Sequence, residues 1–520
     1  MHRPSRLTLC SLVFVVGSVA AVHACAQAPA ASRGERVEAL LPEIDKMYTE
    51  LAGKEHLPGL VYGVVLDGKL VHMRPLGLAD VERKTPVTGS TEFRIASMSK
   101  SFVAMAALKL RDAGKLRLDD PVADYLPEVR RVQLPTSDSP ALTIRHLTTM
   151  TTGLPEDNPW GDRQMAVPNA RLEQLVGAGL SFSNTPGQTF EYSNLGYILL
   201  GKVVSKVSGM RFQDYVTREI LRPLGMHNTR WEYTQAAPGK LALGYRWDRD
   251  HWEAEPILHD GDGAAMGGLI TTADDFARYV AFHLDAWPAR NDPERGPLRR
   301  ASVREMHLPQ AFAGLSTKAT LSDMKTPNPN VSFYSHGLVW QRDSRNVVSS
   351  GHSGGLPGFG SQYRFAPDHG VGVFAFTNLR YGPVYGPTAK ALAMLVERAE
   401  LGPPRSRIAD PGDAPWASGA TGAVVGCVAG KRDRSRQPVP RPLARRLDRA
   451  RARKAGADRE DYLGRPDQGR QPLARQLPAG RRARNGERRL HAHAGTRAQG
   501  AGDHAHAGEA ISTVSLQPRL

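Results

Sequence analysis

Residues 97–110 read SMSKSFVAMAALKL and form the apolar segment that best indicates the fold. A helix formed by Met98 to Leu110 would be apolar on nearly every face. Such helices are usually buried in the middle of a domain. Gly114 follows and predicts the end of the helix. We therefore expect a buried helix with a serine and a lysine at its start.

The pattern Ser-x-x-Lys opens this helix as Ser97 and Lys100. Positions i and i+3 share a helix face, so the lysine can reach the serine hydroxyl. A serine becomes a nucleophile when a neighbouring base takes its proton. Burial lowers the pKa of a lysine, so that its amine can be neutral and act as this base. The helix N-terminus also directs N–H groups toward an oxyanion formed there. A helix-start serine with a surface lysine is the alternative, because Ser322 and Lys325 repeat the pattern in a loop-like stretch.

A second polar motif, Tyr192-Ser193-Asn194, lies after Pro186-Gly187 and before a predicted helix. A loop in this place can present side chains to a cleft. The phenol of Tyr192 can relay protons, and the amide of Asn194 can bind a carbonyl or a lysine. The chain has 14 tyrosines but a single Tyr-x-Asn. A tyrosine that packs on the domain surface is the alternative interpretation.

A third motif, His352-Ser353-Gly354-Gly355, precedes a glycine-rich turn. Glycines let a backbone approach a ligand closely, and a backbone N–H here can complete an oxyanion hole with that of Ser97. His-x-Gly alone carries little weight, because it recurs at His259 and near the C-terminus. We expect no metal site, since the chain has no His-Glu-x-x-His and no cysteine pair at metal-binding spacing.

The predicted elements follow the order helix, strands, helices, strands, helix. A helix is expected over Arg36–Leu51, with Pro42 at a kink or near its start, and Asp67-Gly68 predicts a hairpin. The clearer later helices are Leu172–Leu180, Leu195–Val207, Phe212–Leu221, Asp274–Leu284 (with Thr272 as its N-cap) and Ala389–Glu400. The later strands are Leu338–Arg342, Ser361–Phe365 and Val371–Thr377. This order predicts an α+β fold in which terminal strands form one antiparallel sheet around a helical insert.

Taken in order, the three motifs resemble those of the serine β-lactamase and penicillin-binding-protein superfamily, nearest to its class C-like branch. The resemblance covers residues 37–400 and extends to other segments. The stretch from His146 to Pro155 resembles the family segment LLTHTSGLP, and the stretch from Tyr192 to Gly201, followed by Ser208-Gly209, resembles YSNxGYxLLG…SG. Pro223-Leu224-Gly225-Met226 and Gly267-Gly268-Leu269 are also similar to family landmarks.

The resemblance implies a β-lactamase/transpeptidase-like fold. N- and C-terminal strands would form an antiparallel sheet flanked by helices, with a mostly helical second domain and the site between the two. Ser97 would be the acylated nucleophile, Lys100 the residue that activates it and Tyr192 the second general acid/base. Which group takes the serine proton is disputed in relatives. No cofactor is implied.

The resemblance also implies the substrate contacts. Asn194, His352 and Gly354 would bind substrate, and the N–H groups of Ser97 and Gly355 would form the oxyanion hole. His352 stands where β-lactamases carry the lysine of Lys-Thr-Gly, a motif that this chain lacks. A lysine offers a fixed charge to the carboxylate of a β-lactam, whereas a histidine with a pKa near 6.5 is about one-fifth charged at neutral pH.

These implications predict a serine hydrolase that acts on an ester, amide or β-lactam-like bond through an acyl-serine intermediate. The histidine favours ester or D-amino-acid peptide hydrolysis over efficient β-lactam hydrolysis. The expected partner is a small-molecule or short-peptide substrate. A non-catalytic penicillin- or peptide-binding sensor of the same fold is the alternative.

The N-terminus predicts export. His2, Arg3 and Arg6 precede an apolar run from Leu7 to Val22, and small residues follow, which is the order of a secretory signal peptide over residues 1–26. The run of 16 residues is short for a membrane span. We therefore expect a periplasmic or secreted protein, with lipid attachment at Cys25 as a less favoured alternative.

The C-terminal segment 401–520 carries most of the excess charge. The net charge is +16, yet residues 431–520 alone hold 22 Lys+Arg and 9 Asp+Glu. Such charge at first suggests nucleic-acid binding, but the rest of the chain is nearly neutral, and we expect no nucleic-acid partner. The segment is rich in Arg, Ala, Gly and Pro, lacks an apolar period and is predicted to be disordered. The basic residues change abruptly from a mixture of Lys and Arg to mostly Arg. This change favours the interpretation that the gene is read out of frame here over a basic binding tail or a disordered linker.

Overall fold

The computed structural model describes residues 31–157 and 161–402, which form one large antiparallel sheet with helices on both faces. The helices are α1 (Arg33–Glu38), α2 (Leu41–Lys54), α3 (Ser99–Asp112), α4 (Val122–Tyr125), α5 (Ile144–Thr149), α6 (Asn169–Gly177), α7 (Asn194–Ser208), α8 (Phe212–Val216), α9 (Ala273–Leu284), α10 (Arg300–Met306) and α11 (Tyr385–Arg398). The strands are β1 (Gly59–Leu66), β2 (Lys69–Asp80), β3 (Thr85–Pro86), β4 (Phe93–Arg94), β5 (Tyr245–Asp248), β6 (His251–Ala254), β7 (Ile270–Thr271), β8 (Ala311–Ser316), β9 (Asn330–Tyr334), β10 (Val339–Asp343), β11 (Val348–Leu356), β12 (Phe359–Ala366) and β13 (Val371–Thr377).

The main sheet joins strands from both ends of the described chain. Its order is β3-β2-β1-β13-β12-β11-β10-β9-β8, and each neighbouring pair is antiparallel. β1 pairs with β13 in the register Leu60 opposite Thr377 through Leu66 opposite Val371. The prediction that terminal strands share one sheet around a helical insert is therefore confirmed.

The central strands β1, β12 and β13 are buried on both faces of the sheet, and β1 shows how the sequence encodes this. Val61 and Val65 belong to the core that also contains the residues of α3, α7 and α9. Leu60, Tyr62 and Val64 point the other way and pack with α2 and α11. Successive side chains of a strand alternate between faces, so a strand covered twice reads as a continuous apolar run.

The helix predicted from residue 98 onward is α3, and it lies in the middle of the larger core. Its residues from Ser99 to Leu108 are all buried, including Lys100 with no exposed surface. The chain breaks between α1 and α2, with Pro42 in the first turn of α2, as one of the two sequence alternatives predicted. The Thr272 cap is confirmed, since its side chain accepts the backbone N–H of Asp275 at the start of α9.

The sequence patterns missed strands that lack an apolar period. β11 reads VSSGHSGGL, and β8 and β9 have only one buried residue each. Glycine and serine weaken strands intrinsically, and β11 is held instead by its ladders to β10 and β12 on either side. The predicted helix over Phe212–Leu221 is α8 followed by a π-helical turn at Thr217–Leu221.

Two sequence predictions concern segments beyond the described residues. The predicted signal peptide, residues 1–26, lies outside them, and so does the predicted tail apart from Leu401 and Gly402. Both stay predictions. None of the helices within residues 31–157 and 161–402 is long and apolar enough to cross a membrane.

Candidate active site

Ser97 lies on a tight 3₁₀ turn, Ala96–Met98, that leads directly into α3. Ala96 has φ 49°, a left-handed conformation that is unfavourable for a residue with a Cβ atom. Two hydrogen bonds hold the turn: Ser99 Oγ donates to Ala96 O at 2.7 Å, and Ser361 Oγ donates to Ile95 O at 2.8 Å. Strained turns of this kind cluster at active sites, where the surrounding structure fixes them.

Lys100 is the buried partner of the serine. Its Nζ lies 2.9 Å from Ser97 Oγ, 2.8 Å from Asn194 Oδ1 and 2.5 Å from Met266 O. Two of these partners, the amide oxygen and the carbonyl, can only accept. A neutral amine that donates to both therefore directs its lone pair at the serine hydroxyl.

The electrostatics of the pocket favour that neutral amine. Burial lowers the pKa of Lys100 to about 7, because an ammonium loses its hydration there. The carboxyls of Asp162 and Asp157 oppose this shift. Both forms of the lysine are thus populated near neutral pH, as general-base catalysis requires.

Asp157 and Asp162 are residues that the sequence patterns did not single out. The Asp157 carboxylate accepts the backbone N–H groups of Asn194 at 2.7 Å and Leu195 at 2.8 Å, at the first turn of α7. Asp162 accepts the hydroxyl of Tyr381 at 2.8 Å. Burial raises the pKa of both carboxyls. Their partners are distant in sequence, so no local spacing could have revealed them.

Tyr192 joins the same cluster. Burial raises the pKa of its phenol well above its ordinary value, and the neighbouring Ser97 side chain acts in the opposite direction. Its ring centroid lies 4.9 Å from Lys100 Nζ, within the range of a cation–π contact. The phenol keeps its proton at neutral pH and can give it to a leaving group.

His352 is buried on β11, and its charge state differs from the sequence expectation. Its Nε2 lies 3.1 Å from the Tyr334 hydroxyl, and its Nδ1 lies 2.5 Å from Ser353 O. A carbonyl only accepts, so Nδ1 carries the proton and Nε2 accepts from the tyrosine. Burial and then the charge of Lys100 lower the pKa of His352 to about 3. The expected one-fifth charge is therefore wrong: this histidine is neutral at pH 7.

The glycines of β11 allow the strand to pack against the turn that carries Ser97. A Cβ atom on Gly354 would lie 2.3 Å from Ile95 O and 2.3 Å from Ser361 Oγ. A Cβ atom on Gly355 would lie 2.5 Å from Cδ1 of Tyr381. All three distances are too short for any other residue without a shift of backbone or side chain. Close approach of this strand is what an oxyanion hole formed by Ser97 and Gly355 requires, and that role stays a prediction.

The structure thus gathers Ser97, Lys100, Tyr192 and Asn194, with His352 beside them, its ring centroid 6.2 Å from that of Tyr192. Asn194 is 1% exposed and contacts Lys100, so the predicted contact with substrate stays a prediction.

The second Ser-x-x-Lys does not form such a cluster. The hydroxyl of Ser322 donates to Glu397, and the segment is a loop.

Within residues 31–157 and 161–402, no group of three His, Cys, Asp or Glu side chains is placed to hold a metal ion.

The class of protein follows from this architecture. A large antiparallel sheet of N- and C-terminal strands, flanked by helices and carrying Ser-x-x-Lys at the start of a buried helix, is a β-lactamase/transpeptidase-like fold. The sequence profile of the Beta-lactamase family matches residues 44–398. The chain belongs to this family.

Named relatives agree with this assignment. The chain is 28% identical to Protein flp of Staphylococcus aureus (strain N315) over 342 residues, which are 65% of this chain and 63% of that protein. It therefore spans less than two thirds of the staphylococcal protein. It is 26% identical to Penicillin-binding protein 4* of Bacillus subtilis (strain 168) over 344 residues, covering 63% of this chain and 69% of that protein.

Two solved structures share the fold. One is the octameric penicillin-binding protein homologue from Pyrococcus abyssi, with a TM-score of 0.58, 24% identity, and coverage of 70% of this chain and 79% of that one. The other is a penicillin binding protein from Bacillus halodurans, with a TM-score of 0.51, 24% identity, and coverage of 67% and 98%. At these identities the likeness concerns the fold alone.

Proposed function

We propose that this protein is a serine hydrolase that cleaves an ester, amide or β-lactam-like bond through an acyl intermediate on Ser97. The observation that carries the proposal is the 2.9 Å contact between Ser97 Oγ and Nζ of a fully buried Lys100, whose pKa burial lowers to about 7. A surface lysine would stay protonated and could not serve as a base.

In the proposed acylation, the neutral amine of Lys100 takes the proton of Ser97 as Oγ attacks the substrate carbonyl carbon. The oxyanion is stabilised by the N–H groups of Ser97 and Gly355. Tyr192 gives its phenolic proton to the leaving alcohol or amine as the bond to the carbonyl carbon breaks. The Lys100 ammonium then returns a proton to the Tyr192 phenolate, which leaves both groups neutral and an acyl ester on Ser97.

The proposed deacylation uses Lys100 again, first as a base and then as an acid. Lys100 takes a proton from a water molecule whose oxygen attacks the acyl carbon. The resulting tetrahedral intermediate expels Ser97 Oγ, which receives that proton from the Lys100 ammonium. The free acid leaves, and the enzyme returns to its starting state.

We further propose that esters or D-amino-acid peptides are better substrates than β-lactams. His352 stands where a β-lactamase presents a lysine, and burial lowers its pKa to about 3, so it offers no positive charge to a β-lactam carboxylate at neutral pH. Asp157 and Asp162 add acidic groups near Lys100. This charge balance disfavours an anionic substrate.

The second candidate is a penicillin- or peptide-binding sensor that acylates without turnover. The Bacillus subtilis relative supports it, since that protein is a penicillin-binding protein. The two candidates differ only in the rate of deacylation.

The full-length protein should separate these candidates when it is mixed with p-nitrophenyl acetate, a D-alanyl p-nitroanilide and a chromogenic cephalosporin. We expect multiple turnovers on the ester or the anilide, with kcat/KM at least about tenfold above that for the cephalosporin, or about 1.4 kcal/mol in transition-state energy. A stoichiometric burst without turnover on all three would support the sensor instead. Faster hydrolysis of the cephalosporin would contradict the proposed preference.

Export is part of the proposal and rests on residues 1–26. We propose a periplasmic or secreted protein, with attachment through Cys25 as the less favoured form. N-terminal sequencing of the mature protein from the culture medium or the cell envelope would test this. A chain that retains Met1 and stays in the cytosol would contradict it.

A further inference from the structure

A hydrogen bond joins the helical insert to the sheet side of the fold, close to the candidate active site. Asp162 lies between α5 and α6, in the helical insert, and Tyr381 lies between β13 and α11, on the sheet side. The tyrosine hydroxyl donates to Asp162 Oδ2 at 2.8 Å. The catalytic roles proposed above use neither residue.

Tyr381 is fixed at the end of β11 that carries Gly355. Its backbone N–H donates to Leu356 O at 3.3 Å and to Phe359 O at 3.1 Å, across the turn between β11 and β12. Its φ is 48°, a conformation that a bulky residue adopts only when its surroundings impose it. Its ring occupies the space into which a side chain on Gly355 would point. The ring therefore lies beside Gly355, whose N–H is the proposed oxyanion donor.

Asp162 holds the other end of the bridge. The residue is 5% exposed, and burial raises the pKa of its carboxyl, with Lys100 acting on it in the opposite direction. A buried carboxyl that loses a hydrogen-bond donor is destabilised. The hydroxyl of Tyr381 is thus held in place by an acceptor that itself requires a donor.

We propose that Tyr381 and Asp162 form a specificity-determining bridge that closes the cleft beside Gly355 and limits the size of the substrate group that lies there. This rests on the proposed hydrolase function. The inferred substrate class is an ester or amide with a short, unbranched group on the side of the bridge. A long alkyl chain on that side would have to displace the tyrosine ring.

Two ester series test the bridge in the full-length protein: p-nitrophenyl acetate against octanoate, which vary the acyl group, and ethyl acetate against octyl acetate, which vary the alcohol. For Tyr381→Ala we expect the long-to-short ratio of kcat/KM to rise about tenfold in the series whose variable group faces the bridge, a change of about 1.4 kcal/mol. Tyr381→Phe keeps the ring but loses the hydrogen bond to Asp162. We expect it to raise the same ratio by a smaller factor, mainly through a lower KM for the long ester.

Tyr385→Ala is the matched control, because that tyrosine is 51% exposed at the start of α11 and lies outside the site. Its ratios should equal those of the parent protein. The bridge would be overturned if the long-to-short ratios of kcat/KM for Tyr381→Ala and Tyr381→Phe stayed within twofold of the parent in both series. The hydrolase proposal would stay intact if Ser97 still formed an adduct with a serine-reactive fluorophosphonate. Failure of the parent protein to form an adduct would instead overturn the hydrolase proposal.

Discussion

Replacing Ser97 with alanine should reduce ester hydrolysis by at least about 10³-fold, to near the rate of the uncatalysed reaction. The variant lacks the hydroxyl oxygen that lies 2.9 Å from Lys100 Nζ and that would form the acyl ester, so the covalent route disappears. The loss should fall on kcat and kcat/KM alike. Initial rates on p-nitrophenyl acetate, for variant and parent at equal concentration, measure it.

The chain supplies its own control for this substitution. Ser322 belongs to a second Ser-x-x-Lys, but it lies in a loop and its hydroxyl donates to Glu397. Ser322→Ala should keep the activity of the parent within about twofold. A Ser97→Ala protein that keeps more than a tenth of the parent activity, with the same denaturant midpoint, would show that the nucleophile lies elsewhere.

Replacing Lys100 with arginine should lower the acylation rate by about 10²–10⁴-fold, the usual contribution of a general base. A guanidinium stays protonated at every pH of interest, so it cannot take the serine proton. Lys100→Met tests the same loss with a neutral side chain of similar length. Single-turnover measurement of p-nitrophenol release reports acylation directly, and Lys325→Arg, in the loop motif, should change nothing.

The acylation rate should rise with pH. Burial lowers the pKa of Lys100 to about 7, so the fraction of Lys100 in the neutral form increases as pH rises through 7. The acylation rate should increase with this fraction and reach a plateau. His352 should add no step between pH 5 and 9, because its pKa is lowered to about 3. An acylation rate that is flat over this range, or that falls as pH rises through 7, would exclude Lys100 as the base.

Parts of the fold and site could be predicted because their signals are local. The apolar stretch after Ser97 is α3, and the Asp67-Gly68 turn joins β1 to β2 as expected. Lysine three residues after serine on a helix must lie beside it. The contact between Lys100 and Ser97 follows directly from that spacing.

Other features depend on residues that meet only in the folded chain. β11 lacks the pattern of a strand and exists because β10 and β12 flank it. Asp162 and Tyr381 are 219 positions apart and show no motif. The pKa of His352 also depends on distant groups, since Tyr334, Tyr192 and Lys100 surround it only after folding. Sequence spacing carries no information about such burial.

Covalent labelling tests the acylation of Ser97 most directly. Full-length parent and Ser97→Ala proteins would be incubated with a serine-reactive fluorophosphonate, and intact mass followed by peptide mapping would locate the adduct. We predict one adduct per parent chain, on the peptide that contains Ser97, and none on the folded variant. An adduct on another residue, or equal labelling of the variant, would contradict it.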